Sequence, residues 1–133
     1  MENKGRTIFI WDIHGCYDEF MLLIKKIGVK KNDKVYCVWD IINKWPKSFK
    51  VLNFFHKNKE QYKCVMWNHE IGFLRWINGE APQYNCKQYR VLREKIETKK
   101  PELTSFLKNL PLYIEDDDFI VLHWGIIPEK SLE

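Results

Sequence analysis

Short apolar runs that each end in a polar, metal-type side chain constrain the fold of this 133-residue chain more than any other feature. The runs begin at Ile8, Val35, Cys64 and Phe119. The polar residues at or just beyond their ends are, in order, Asp12 and His14, Asp40, Asn68 and His69, and His123. Each run is typical of a buried strand. Because ligands bind beyond the carboxyl ends of strands in open α/β sheets, we expect these side chains to gather at one edge.

The segments between the runs predict a layered α/β (α+β) fold made of one domain, 1–133. Apolar spacing and turn signals predict strands over 7–12, 34–39 and 62–67 and helices over 17–27, from Pro46 onward, over 68–77 and over 101–110. Phe20, Leu23, Ile24 and Ile27 form the expected inner face of the first helix. The polar stretch 80–100 is interpreted as a helical excursion over the site. The last elements form a hairpin with an acidic turn at 116–118, whose carboxylates we interpret as exposed turn residues rather than metal ligands.

Composition excludes several classes of protein. The 45% hydrophobic and 30% charged residues are typical of an ordinary soluble domain. No apolar run reaches the roughly 18 residues of a membrane span, and no signal peptide is apparent, so we expect a cytoplasmic protein with no membrane partner. The net charge of +4 is mild, and the basic stretch 25–31 is interpreted as a solvated helix end, so no specific nucleic-acid binding is expected. Cys37 and Cys64 lie inside apolar runs and are expected to be buried thiols.

The polar residues at the strand ends suit a divalent metal, because carboxylate, amide oxygen and imidazole are hard or borderline ligands. The carboxylate of Asp40 can bridge two ions, since it offers about four lone-pair sites. Two ions about 3.5–4 Å apart clamp the attacking and leaving oxygens of a displacement at phosphorus. His69 then remains to protonate the leaving oxygen, with Glu70 either orienting it or acting as a helix N-terminal charge. His56 has no such neighbours and is interpreted as a surface residue.

The four sequence blocks around these residues resemble those of a known family. The blocks are 11–15 (WDIHG), 39–46 (WDIINKWP), 67–70 (WNHE) and 123–125 (HWG). Their order and intervals resemble G-D-x-H-G, G-D-x-x-D-R-G-P, G-N-H-E/D and H-G/A-G of the calcineurin-like metallophosphoesterases. The resemblance is to the branch containing phosphoprotein phosphatases and bacterial diadenosine tetraphosphatases.

The resemblance implies a metallophosphatase-type β-sandwich flanked by helices, with two divalent ions, Mn, Fe or Zn. Asp12, His14 and Asp40 would hold the first ion, Asp40, Asn68 and His123 the second, and His69 would be the general acid. The implied activity is hydrolysis of phosphomonoesters in phosphoproteins, or of dinucleoside polyphosphates, by a hydroxide that the two ions activate. The alternative is a catalytically inactive fragment or binding module of the same fold.

The chain departs from the family pattern in its second block and at its end. Asn43 stands at the place of an Asp that supports the catalytic His, and Lys44 stands at the place of a phosphate-binding Arg. Asn43 can still form a hydrogen bond, and Lys44, together with Asn68, is expected to contact phosphate, although without a bidentate fork. The family supplies further metal-binding His from a later segment. We therefore expect a truncated domain whose C-terminal part is missing.

Tryptophan stands at five positions where the family has Gly. These positions are 11, 39, 45, 67 and 124. Gly serves at such turns because it tolerates positive φ, and a bulky residue there costs on the order of 1–3 kcal/mol. We hypothesise that one codon, most plausibly UGA, means Gly in the source and was translated as Trp. The gene sequence tests this, because UGG codons at the five positions would contradict it.

Overall fold

Parallel strands alternate with helices in the first part of the chain. The computed structural model describes residues 4–84 and 86–122. Strands β1 (Thr7–Ile10), β2 (Lys34–Cys37) and β3 (Tyr62–Cys64) alternate with helices α1 (Tyr17–Ile27), α2 (Ser48–Lys57) and α3 (Asn68–Ile77). The strands form a parallel sheet in the order β1-β2-β3, in which Ile10, Cys37 and Cys64 are in register. The predicted β-α order is therefore confirmed.

Two helices and a hairpin follow. Helices α4 (Cys86–Lys99) and α5 (Glu102–Lys108) precede strands β4 (Tyr113–Asp116) and β5 (Phe119–Leu122), which pair in an antiparallel hairpin. The helical excursion, the short helix and the hairpin are therefore present as predicted. Of the predicted acidic turn, Asp117 and Asp118 are exposed, whereas Asp116 accepts hydrogen bonds from Lys34 and Tyr36.

The helices and the hairpin cover opposite faces of the sheet. Successive strand residues point to opposite faces, so Val35 and Cys37 join the helix-side core while Tyr36 joins a second apolar cluster. The hairpin supplies the other side of that cluster, with the ring of Phe119 5.0 Å from Phe9 and 5.1 Å from Tyr36. The helix-side core includes the fully buried residues Val51, Leu52, Phe55, Phe73, Tyr89, Leu92, Ile96, Leu103 and Leu107. This layering covers both faces of the sheet, so a binding site would lie at its edges or at its strand ends.

An ion pair between the buried Asp33 and the half-exposed Arg6 lies at the amino-terminal end of the sheet. Asp33, immediately before β2, accepts hydrogen bonds from Arg6 Nη2 at 2.6 Å and from the backbone N–H groups of Arg6 and Lys30, each at 2.8 Å. Arg6 also donates to the carbonyl of Gly28, which ends α1 in a left-handed conformation with φ 62°. The Arg6 guanidinium, reinforced by these N–H groups, holds the pKa of Asp33 well below its usual range. The pair thus joins β1, the end of α1 and β2.

Several predicted boundaries and faces were wrong. The first three strands end two or three residues earlier than predicted. After β1, the N–H groups of Ile13 and His14 donate to the carbonyl of Asp40, and after β3 the Met66 N–H donates to the carbonyl of Pro111, rather than to a strand ladder. Helix α2 begins at Ser48 rather than at Pro46. Leu23 was placed on the inner face of α1 but is 40% exposed.

The tryptophans do not carry the backbone strain that was expected. None of the four described ones has positive φ, and Trp67 is extended at φ −114°. Positive φ falls instead on His14, Asn43 and Lys44 among the described non-glycine residues. The strain argument for misread glycines is therefore wrong for these four positions, and Trp124 lies outside the described residues. The decoding hypothesis stays a prediction for the gene sequence.

Three remaining expectations concern the thiols, His56 and membrane spans. Cys37 and Cys64 are buried, as predicted for thiols in apolar strands. His56 was taken as a surface residue but is half-buried, with its ring 5.2 Å from that of Phe106. Within the described ranges, no helix has both the length and the apolar character required to cross a bilayer.

Candidate metal centre

The loops that follow β1, β2 and β3 converge on one cavity at the carboxyl ends of the strands. The cavity has a volume of about 300 Å³. Its lining residues are Asp12, His14, Trp39, Asp40, Lys44, Trp67, Asn68 and His69. The structure thus brings together five of the six residues singled out at strand ends, and Lys44 with them. The sixth, His123, lies outside the described residues.

His14 is oriented to offer one ring nitrogen to an ion. Its Nδ1 lies 3.1 Å from the carbonyl oxygen of Ile42, so Nδ1–H donates and Nε2 retains its lone pair. Nε2 is 3.5 Å from Asp12 Oδ1 and 3.9 Å from Asp40 Oδ2. A backbone carbonyl that fixes the tautomer of a metal-binding His is a common outer partner. The donor set therefore fits a divalent cation.

Asp40 is the most enclosed carboxylate of the cavity. It is 4% exposed, and its Oδ1 accepts a hydrogen bond from the His69 backbone N–H at 3.0 Å. Its Oδ2 faces His14, and in residues 4–84 and 86–122 no Lys or Arg side chain is paired with it. One ligand atom from each of His14, Asp40 and His69 can be chosen so that all lie within 4.8 Å of one another. A buried carboxylate without a basic partner needs compensation, which a metal ion supplies.

His69 has the hydrogen-bond partner that the sequence predicted. The amide nitrogen of Asn43 lies 2.9 Å from His69 Nδ1, and both side chains are buried. Burial lowers the pKa of His69, and the neighbouring His14 and Lys44 lower it further against the opposing effect of Asp40. When Asn43 donates to Nδ1, the ring proton is on Nε2. His69 is therefore a neutral N–H donor beside the cavity.

Three residues around the cavity adopt backbone conformations that L-residues rarely use. His14, Asn43 and Lys44 have φ of 43°, 69° and 60°. The Asn43 N–H donates to Ser48 Oγ at 2.9 Å, and the Trp45 N–H donates to the His14 carbonyl at 3.1 Å. These bonds hold the strained turns, and such strain clusters at functional sites.

Glu70 holds two of the loops together. Its Oε1 accepts from the N–H groups of Ile41 and Ile42 at 3.1 and 3.2 Å, and its Oε2 accepts from the Trp67 N–H at 3.1 Å. Burial, and next the charge of Asp40, raise the pKa of Glu70 to about 8. Of the two predicted roles, the helix N-terminal one matches, because the carboxylate caps α3.

Tyr84 belongs to the site although the sequence did not indicate it. Its ring stacks on that of His69 with centroids 4.0 Å apart, and its Oη accepts a hydrogen bond from Asn68 Nδ2 at 2.6 Å. Tyr84 lies in the polar stretch before α4, where a single aromatic residue gives no periodic signal. The one available hint was Gly72, a helix residue one turn after Asn68 that leaves room for a neighbouring ring.

Comparison with known proteins agrees with the geometry. No family model matches the chain. A symmetrical bis(5'-nucleosyl)-tetraphosphatase of Vibrio parahaemolyticus is 31% identical over 133 residues, which are 96% of this chain and 47% of that protein. The chain spans about half the length of the curated relatives it matches.

Solved structures share the fold. A crystal structure described as a putative diadenosine tetraphosphatase superposes with a TM-score of 0.76 at 23% identity, covering 98% of this chain and 55% of that one. A metallophosphoesterase from Sphaerobacter thermophilus superposes with a TM-score of 0.65 at 16% identity, covering 86% and 44%. The predicted metallophosphatase-type fold is confirmed. The resemblance seen in the four sequence blocks is also confirmed, because the chain is similar to a tetraphosphatase and shares the metallophosphoesterase fold.

Proposed function

We propose that the protein containing this chain is a metal-dependent phosphoesterase that hydrolyses dinucleoside polyphosphates. One observation carries the proposal: Nε2 of His14, with its Nδ1–H held by a backbone carbonyl, lies 3.5 and 3.9 Å from the carboxylates of Asp12 and Asp40. The name of the Vibrio relative supports a nucleotide substrate. That relative is about twice as long as the chain, so the activity is proposed for the whole protein.

The residues would hold two divalent ions, Mn, Fe or Zn. Asp12, His14 and Asp40 would hold the first ion, and Asp40, Asn68 and His123 the second. When bound, the ions would polarise phosphoryl oxygens and provide a nucleophile near neutral pH. Mixed imidazole and oxygen ligands suit all three metals, so the donor set does not choose among them.

The other residues of the cavity would act on the substrate. His69 would act in its protonated imidazolium form, giving its Nε2 proton to the phosphate oxygen of the leaving nucleotide and returning to the neutral ring. Asn43 would position that ring. Lys44 lines the cavity and would place a positive charge beside the phosphate chain, with the Asn68 amide as a second phosphate contact. A nucleotide substrate also fits the expected cytoplasmic location.

Hydrolysis of P1,P4-di(adenosine-5') tetraphosphate by the intact protein with Mn²⁺ tests the proposal. We expect Asp40→Asn to lower kcat/KM at least about 100-fold, because it removes a ligand expected to be shared by both ions. Asp118→Asn, an exposed carboxylate on the hairpin turn, is the matched control and should stay within about twofold of the wild type.

Each alternative has its own outcome in that experiment. Wild-type activity no higher than that of Asp40→Asn would refute the proposed enzymatic activity and favour the alternative, an inactive binding module of the same fold. Hydrolysis of a phosphopeptide without hydrolysis of the dinucleotide would refute the substrate and retain the reaction class. The assay should be repeated with Gly at the five tryptophan positions if the gene carries UGA there.

A further inference from the structure

Tyr84 packs into a slot beside α3. The slot lies against α3, where Gly72 has no side chain. A Cβ on Gly72 would meet the Tyr84 ring at 3.2 Å and the hydroxyl of Tyr89 at 2.7 Å. One face of the Tyr84 ring lies 4.0 Å from the ring of His69, at an interplanar angle of 27°. The ring is therefore confined by both the helix backbone and the candidate general acid.

The hydroxyl of Tyr84 holds the Asn68 side chain in place. Asn68 Nδ2 donates to Tyr84 Oη at 2.6 Å. A phenol hydroxyl can accept from an amide nitrogen or donate to an amide oxygen, and here it accepts, so the nitrogen is the end of the amide that it engages. Asn68 lines the cavity, so its carbonyl oxygen is the amide atom left for an ion. An oxygen is the atom that a divalent metal requires from this side chain.

We propose that Tyr84 is a positioning residue of the candidate metal centre, acting on Asn68 through its hydroxyl and on His69 through its ring. This inference rests on the proposed function for its catalytic consequence. Its structural part, the orientation of the Asn68 amide, stands apart from catalysis. Outer partners of this kind typically change metal affinity or activity by about 10–100-fold when they are lost.

Tyr84→Phe in the intact protein separates the two contacts. The variant keeps the ring on His69 and removes the hydroxyl from Asn68. We expect Mn²⁺ affinity, measured by calorimetry, and kcat to fall about 10-fold, with KM changed less than about twofold. Tyr84→Leu removes both contacts and should lower kcat further.

Tyr36→Phe is the matched control. It also removes a hydrogen-bonded phenol hydroxyl, which donates to Asp116 at 3.0 Å, but on the hairpin side of the sheet. It should leave Mn²⁺ affinity and kcat within about twofold of the wild type. An equal loss in Tyr36→Phe and Tyr84→Phe would show a general loss of stability and overturn the inference.

A metal-free readout distinguishes failure of the inference from failure of the proposed function. The side-chain amide NMR signals of Asn68, assigned with an Asn68→Asp reference, should shift in Tyr84→Phe and not in Tyr36→Phe. Unchanged Asn68 signals would overturn the inference even in an active enzyme. Shifted signals in a protein whose wild type neither binds Mn²⁺ nor hydrolyses nucleotides would support the positioning contact and refute the function.

Discussion

Strand β2 has a buried carboxylate just outside each of its ends, and the two have opposite surroundings. Asp33 and Asp40 are both 4% exposed. Asp33, at the amino-terminal end, is paired with the Arg6 guanidinium and accepts two backbone N–H groups. Asp40, at the carboxyl end, accepts a hydrogen bond from the His69 N–H and faces the His14 ring instead of a Lys or Arg side chain.

The difference separates a carboxylate that the fold has satisfied from one that a cofactor must satisfy. A buried charge is costly unless it is paired or coordinates a metal. The amino-terminal end of the sheet, which we call the closed end, can therefore contribute to stability on its own. The carboxyl end of the sheet, which we call the open end, gathers Asp40, the imidazoles and the strained turns. This arrangement is expected where stability is given up for function.

The largest stability effect is expected at the closed end. Asp33→Asn removes the charge that pairs with Arg6, and we expect the thermal midpoint to fall by roughly 8 °C. Activity per folded molecule should stay unchanged, because Asp33 is outside the cavity. Calorimetry and the nucleotide assay measure the two quantities. If Asp33→Asn kept its stability and lost its activity, the assignment of stability to the Asp33 end and of function to the Asp40 end would be wrong.

The pH dependence of that effect has a definite sign. The pKa of Asp33 is lowered in the folded chain, so its contribution is fully present above its unfolded pKa of about 3.9 and is lost as pH falls through the folded value. The stability gap between the wild type and Asp33→Asn should therefore be constant near neutral pH and narrow below about pH 4. Urea unfolding of both proteins at pH 7 and pH 3 measures this gap. If the difference in stability between the two proteins widened in acid, the stabilising charge pair between Asp33 and Arg6 would be contradicted.

A smaller effect of opposite sign is expected at the open end. Burial and, next, the charge of Asp40 raise the pKa of Glu70, and the second of these causes is repulsion between the two acids. Asp40→Asn keeps an oxygen for the His69 N–H and removes this repulsion. The metal-free protein should gain about 1 kcal/mol in free energy of unfolding while it loses metal binding. Urea titration in the presence of a chelator checks this, and a destabilised variant would mean that Asp40 is compensated by the fold after all.

The smallest effect concerns the partner of His69. Asn43→Asp places a carboxylate beside Nδ1, favours the protonated imidazole and raises the pKa of His69. The activity of the intact protein should then persist to higher pH, with kcat at pH 8 increased by roughly threefold. Asn53→Asp, beside Lys100 on the far side of α2, should leave the pH–rate profile unchanged. A lower kcat in Asn43→Asp across all pH values would show that the amide is required here.

Local patterns predicted the parallel part of the fold well. Helices α1 and α3 begin and end at the predicted residues because Gly28 and the capping carboxylate of Glu70 are sequence signals. The grouping of Asp12, His14, Asp40, Asn68 and His69 followed from strand ends alone, since a parallel sheet brings those ends to one edge. The sequence was therefore sufficient to predict that these five residues meet.

Contacts between loops were beyond prediction from local patterns. Beyond the strand ends, backbone N–H groups bond to other loops: the loop after β1 bonds to the loop after β2, and Met66 after β3 bonds to Pro111. Local periodicity carries no information on these tertiary contacts. Tyr84 reaches His69 from a segment that has no regular pattern. Among the described residues, no tryptophan has positive φ, whereas His14, Asn43 and Lys44 do, because the position in a turn, and not the size of the side chain, decides where positive φ falls.

The carboxylate of Glu70 has a mechanical consequence. It accepts N–H groups from the loop after β2 and from the residue before α3, so neither segment can open without exposing a buried acid that the other also satisfies. The two loops therefore form one cooperative unit, with a shared opening free energy rather than two independent ones. A ligand that tightens either loop would slow amide hydrogen exchange in both loops. The rigidity of the cavity would then depend on Glu70, a residue that does not line it.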